Sequence, residues 1–176
     1  MIIKPKQIYL FLGVFLIVLS LIVAVFYQTS QSQAKKGFAG ISSTGKIHNP
    51  KLTYIEIADS PIERGKGLMN RQDLCYECAM LFVFEEESTQ SFWMKNTYIS
   101  LDIIFLDASG KVVAISQNAE PLNEEKRYIS ETPAQFALEV KAGFAKNNNI
   151  LVGDFFKVQE MIDQGVEYNF SKENLK

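Results

Sequence analysis

Leu101-Asp102-Ile103-Ile104-Phe105-Leu106 is the stretch on which the reading of the fold turns. It is a short apolar run closed by Asp107-Ala108-Ser109-Gly110, a turn sequence, and so reads as a β-strand entering a hairpin. Side chains alternate across a strand, which sets Leu101, Ile103 and Phe105 on one face and Asp102, Ile104 and Leu106 on the other. Asp102 therefore shares a face with apolar residues, and a carboxylate there needs a cation or hydrogen-bond donors. Lys95 lies just across residues 96–100, and Arg64 and Arg71 are the other candidate partners. The expectation is a buried Asp102 held in an ion pair.

Runs of the same kind recur at residues 80–84, 91–95, 111–117, 135–141 and 155–160, and a first strand is expected around Leu52, Tyr54 and Ile57. Ser60-Pro61-Ile62-Glu63 carries an N-cap serine, a proline at the first helical position and a capping-box glutamate, which predicts a short helix. Gly65 and Gly67 limit it to one or two turns, and a second helical turn is expected within residues 142–147. Seven short strands with brief helical pieces predict a mainly β domain. It is a compact sandwich or barrel, with α+β as the alternative and the middle strands paired as an antiparallel meander.

The chain has 176 residues, 47% hydrophobic and 22% charged, with a formal net charge of -2. That composition builds one packed domain and offers no basic footprint for nucleic acid. Residues 8–26 contain no charge and follow Lys4 and Lys6, so a helix there is about 28 Å long and matches a bilayer core of about 30 Å. We read residues 1–27 as a transmembrane anchor with its N-terminus in the cytoplasm, or as a signal peptide cleaved near Ser32-Gln33-Ala34. Residues 28–50 read as a polar tether, 51–161 as the β-rich domain and 162–176 as a polar tail. The domain is then extracytoplasmic: on a single-pass membrane protein, or secreted or periplasmic after cleavage. Without Lys4 and Lys6, 16 of the 18 basic residues face 20 acidic ones, so the exported part is mildly acidic. A monomeric soluble part is expected.

Several blocks resemble a known family. They are Arg64-x-x-Gly67-Leu68-Met69-x-Arg71, Met80-Leu81-Phe82-Val83-Phe84, Phe92-Trp93-Met94-Lys95-Asn96-Thr97, Ala119-Glu120-Pro121, Leu138-Glu139-Val140, Ala142-Gly143 and Gly153-Asp154. The family is domain of unknown function 192, and the resemblance covers about residues 55–158. It implies a mostly β, jelly-roll-like sandwich, often exported, with no established activity, substrate or cofactor. One departure stands out: where relatives usually carry a glycine before the Met80 strand, this chain has Cys75-Tyr76-Glu77-Cys78-Ala79.

Arg64, Arg71, Trp93, Lys95, Asn96 and Asp102 are the candidate ligand-binding residues. Gathered around one pocket they would hold a small anionic or sugar-like ligand, with Trp93 offering a flat face to a ring or a cation. The bland alternative is an internal clamp of Asp102 with Lys or Arg. Cys75 and Cys78 are the only cysteines, and in an oxidising compartment they are expected to form a local disulfide staple. A redox role lacks a helix N-terminal setting, and two sulfurs without a nearby histidine make no zinc site. Met69, Met80 and Met94 read as core filling, and Glu85-Glu86-Glu87 as a solvated loop tip. His48, the only histidine, reads as an exposed bystander in the tether. No nucleotide-binding glycine motif occurs, and no cofactor or metal is expected.

The function expected is binding of a small polar or anionic ligand, or of an envelope partner. A carbohydrate-active or other hydrolytic enzyme is the alternative. It would use a carboxylate pair, Asp102 with Asp107 or Glu139, facing one cleft.

Overall fold

The computed structural model describes residues 45–167. The apolar run at 8–26, the start of the tether and the end of the polar tail lie outside them. Among the described residues no helix is long and apolar enough to cross a membrane. The strands are β1 (Ile47–His48), β2 (Tyr54–Ala58), β3 (Cys78–Ser88), β4 (Ser91–Phe92), β5 (Leu101–Leu106), β6 (Val112–Ala119), β7 (Tyr128–Ile129), β8 (Ala134–Lys141), β9 (Phe155–Phe156) and β10 (Val166–Glu167). The helices are α1 (Pro61–Lys66), α2 (Phe144–Asn147) and α3 (Val158–Gln164).

A six-stranded mixed sheet in the order β10-β2-β3-β8-β5-β6 organises the domain, with two-stranded pairs β1-β9 and β4-β7 beside it. The fold is mainly β and sandwich-like; the sheet has two ends, β10 and β6, and closes no barrel. The expected meander is corrected in two places. Strands β2 and β3 run parallel, and β8 inserts between β3 and β5. The reason is the helical connection after β2, which reverses the chain before β3 starts.

Both faces of the sheet are covered. One carries Met80, Phe82, Leu101, Ile103 and Phe105 under Leu68, Leu74, Met94 and Tyr128. The other carries Leu81, Ile104, Leu106, Leu138 and Val140 under Phe144, Ile150, Phe156 and Met161. Every residue of β5 is buried for this reason. Burying a large apolar side chain of this kind contributes roughly 1.5–3 kcal/mol, so the central strands dominate stability. Met80 and Met94 fill the core as expected.

The capping box forms as read. The Glu63 N–H donates to Ser60 Oγ, and the Ser60 N–H to Glu63 Oε2 at 2.9 Å. The Ser60 hydroxyl, donating to Glu63 Oε2 at 2.7 Å, and then the Ser60 N–H hold the Glu63 carboxyl below its ordinary range. The helix ends at Gly67 (φ 49°), where a Cβ would sit 3.1 Å from Phe82 Cζ, so only glycine lets the chain turn against the sheet.

Three local expectations change. Residues 158–160 are helical, not strand, because Val158 and Met161 recur at helical spacing and both are buried. Glu85-Glu86-Glu87 is exposed but belongs to β3, within the register shift of its pairing with β8 between Val83 and Ser88. His48 is 6% exposed: Ile47–His48 forms β1 against β9, and its ring stacks on Phe156. Two residues of strand pairing, invisible to composition, draw the end of the expected tether into the domain.

Candidate functional site

Asp102 is buried, but the expected ion pair does not form. Its Oδ1 accepts the Asn118 N–H and its Oδ2 the Ala145 N–H, each at 2.9 Å. Two backbone donors replace the cation and tie α2 and the end of β6 to β5. Asp102 thus stands among the candidate ligand residues as an internal clamp between elements.

Arg71 serves a different carboxylate. Its guanidinium meets Glu56 in a bidentate pair, Nη1–Oε1 2.6 Å and Nη2–Oε2 2.7 Å. Glu56 faces Met80 across β2-β3, and Glu139 faces Met80 across β3-β8, so both glutamates flank Met80 on one face. Burial pushes the Glu139 carboxyl up to about 8, against the pull of Arg71. Its buried Oε2 has no hydrogen-bond partner among the described residues. At neutral pH it is chiefly a neutral acid. The proposed pairing of Asp102 with Glu139 is excluded by alternation, since Asp102 opposes Val140 while Glu139 opposes Ile103 on the other face. Asp107 lies about 16 Å along the strand from Asp102. Glu56, which sequence reading passed over, had a signal: a charge alternating with Ile55 and Ile57 in a strand.

Trp93 and Lys95 come together at the surface, without Arg71 or Asp102. The indole is 40% exposed. Lys95 Nζ and Arg127 Cζ each lie 5.1 Å from its ring, and Lys95 Nζ is 3.7 Å from Glu124. Pairing of Phe92 with Tyr128 brings Arg127 alongside Trp93, which no sequence spacing reveals. The loop before β5 and the loop after β6 are locked by Met94 N–H to Asn123 O and Leu122 N–H to Thr97 O. Asn96, with φ 50°, contributes its carbonyl to the Asn70 N–H at 2.7 Å. Arg64 stands apart, 5.3 Å over Phe84 and donating to the carbonyls of Val83 and Asp59.

Cys75 and Cys78 are joined in a disulfide, Cα–Cα 5.1 Å, that closes the turn into β3. His48 Nε2 lies 2.7 Å from Asp154 Oδ2, and the N–H groups of Lys46 and Leu151 also donate to that carboxylate. Burial would raise the Asp154 carboxyl, but the Leu151, Lys46 and His48 bonds outweigh it and hold it below the ordinary range. A small open cleft lies beside His48, between Leu52, Phe156 and Met161, on the sheet face opposite Arg71 and Glu139. It therefore gives no access to the glutamate pair. Among the described residues no cluster of His, Cys, Asp or Glu has a metal-holding arrangement.

The model of the DUF192 family, described as Uncharacterized ACR, matches residues 43–158. A UPF0127 protein of Thermococcus sibiricus is 29% identical over 100 residues, 57% of this chain and 62% of its own length. The chain thus spans about three fifths of that relative. A solved structure from Sinorhizobium meliloti 1021, provisionally described as a transcription regulator, shares 37% identity at a TM-score of 0.55, covering 57% of this chain and 78% of that one. A protein of unknown function from Novosphingobium aromaticivorans DSM 12444 matches at 37% identity and a TM-score of 0.56, over 57% of this chain and 71% of its own.

Proposed function

This chain belongs to the DUF192 family of uncharacterised proteins, and we propose that it is a membrane-tethered or secreted extracytoplasmic domain that binds a small polar, sugar-like ligand against Trp93. One observation carries the reading: an exposed indole with two cations 5.1 Å from its ring. Aromatic faces stack on the apolar face of a sugar, and the flanking charges bond its hydroxyl or carboxylate groups. Lys95, Lys126 and Arg127 share their loops with Glu120, Glu124 and Glu125, so the patch is charge-balanced and suits a polyhydroxylated ligand better than nucleic acid. The Cys75–Cys78 bond and the uncharged run at 8–26 support export.

The chain has a single tryptophan, so its fluorescence reports this site alone. Titration with neutral and uronic-acid oligosaccharides is expected to give a saturable change that Lys95→Ala and Arg127→Ala abolish without lowering the melting temperature. An unsaturable or absent response to every sugar overturns the reading. Tyr98, Leu122 and Ile129 are exposed on the same segments, which favours an envelope protein as the second reading. In that case Leu122→Ser weakens partner capture while no sugar alters the fluorescence.

A further inference from the structure

Residues 45–48 enter the domain along residues 153–156. The Lys46 N–H donates to Asp154 Oδ1 at 2.8 Å and the Phe155 N–H to the Lys46 carbonyl at 2.9 Å. Gly45 lies so near that a Cβ there would meet the Gly153 carbonyl oxygen at 1.8 Å. This corner is fastened to the start of β6 by Gly153 N–H to Val112 O and Val112 N–H to Asp154 O.

Three aliphatic side chains stand out at the corner: Ile47, Leu151 and Val152 are 62%, 66% and 62% exposed. Lys46 and Lys111 are exposed beside them, and neither has an ion pair among the described residues. Three carboxylates at this end hold backbone N–H donors and keep their charge. Asp107 accepts the Ser109 and Lys111 N–H groups, Glu87 the Ala108 N–H, and Asp154 points inward. The Trp93 loops sit at the other end of the β5-β6 hairpin, where Leu101 opposes Ala119, about 20 Å away.

We propose that this corner is a membrane-surface contact, with Ile47, Leu151 and Val152 entering the interfacial layer of an anionic bilayer and Lys46 and Lys111 meeting its phosphates. The inference rests on the anchored reading above. On the tether reading, the 18 residues from 27 to 44 that separate the uncharged run from Gly45 have a root-mean-square span of about 25 Å. At such an effective concentration a weak interfacial affinity is enough. The contact would turn Trp93 away from the membrane, toward ligands in the extracytoplasmic space.

The test uses the full chain in nanodiscs of phosphatidylcholine and phosphatidylglycerol, 3:1. With the native cysteines paired, a spin label attaches only at an introduced Val152→Cys, or at Glu125→Cys on the Trp93 loops as control. The oxygen-to-nickel accessibility ratio at position 152 is expected to be several-fold above that at 125, and to fall to the control level with Ile47→Asp and Leu151→Asp. Equal ratios in a chain that stays in the nanodisc overturn the contact and leave the anchor standing. A chain released from the nanodisc removes both. Dipolar broadening at 152 with the same accessibility in detergent shows a second copy covering the corner, and also overturns it.

Discussion

The Ala145 N–H donates to Oδ2 of Asp102 at 2.9 Å, pinning α2 to the central strand through a carboxylate held by backbone donors. Asp102→Ala strands both this N–H and that of Asn118, each costing about 1–3 kcal/mol when unpaired. The melting temperature is expected to fall by several degrees. Lys95→Ala should add nothing beyond its own effect in the double variant. Coupling above about 0.5 kcal/mol would restore the ion pair that sequence reading expected.

Arg71 and Glu56 behave as a unit. Their side chains are 18% and 10% exposed, so Arg71→Ala leaves a buried carboxylate without its partner, at a cost of about 3–5 kcal/mol. Replacing both by methionine is expected to cost much less. Denaturant melts of the two singles and the double decide it; a double as damaged as the single would mean that the arginine acts through something other than the pair.

Glu139 makes stability fall as pH rises. Its carboxyl is raised from 4.5 to about 8 in the fold, so the folded state holds the proton more tightly across that window. The contribution is full below about 4.5 and declines by up to roughly 1.4 kcal/mol per pH unit until pH passes about 8. Glu139→Gln should flatten this slope and be the more stable protein at pH 8. Parallel pH profiles for the two proteins would show that folding leaves the hold of this carboxyl on its proton unchanged.

The domain should need residues 45–50. A chain beginning at 45 is expected to melt higher than one beginning at 51, which lacks the His48 and Lys46 bonds to Asp154. Because those bonds depress the Asp154 carboxyl, the stability they contribute is present above its ordinary value and lost as pH falls through the lowered one. The advantage of the longer chain should therefore shrink in acid. Identical melting at neutral pH would return these residues to the tether.

Protein recovered from its native compartment should carry no free thiol. Intact-mass measurement after alkylation without reductant is expected to leave Cys75 and Cys78 unmodified, and reduction to cost about 2 kcal/mol for so short a loop. Two alkylated cysteines would count against export.

Local rules were legible in the chain because they act over a few residues. Strand alternation put Asp102 with Ile104 and Leu106, the capping box marked the start of α1, and Cys75 and Cys78 stood close enough to bridge. Partners were not legible. Periodicity says which face a side chain takes and not which backbone donors wait there, so the N–H groups of Asn118 and Ala145 escaped notice. The insertion of β8 between β3 and β5 is a choice among pairings of similar strands, made by how both faces are buried at once. That choice set Glu139 beside Met80 and Glu56, and the pairing of β4 with β7 set Arg127 against Trp93. A buried acid and a charged aromatic surface are therefore products of tertiary packing, where residues far apart in the chain share one desolvated or exposed place.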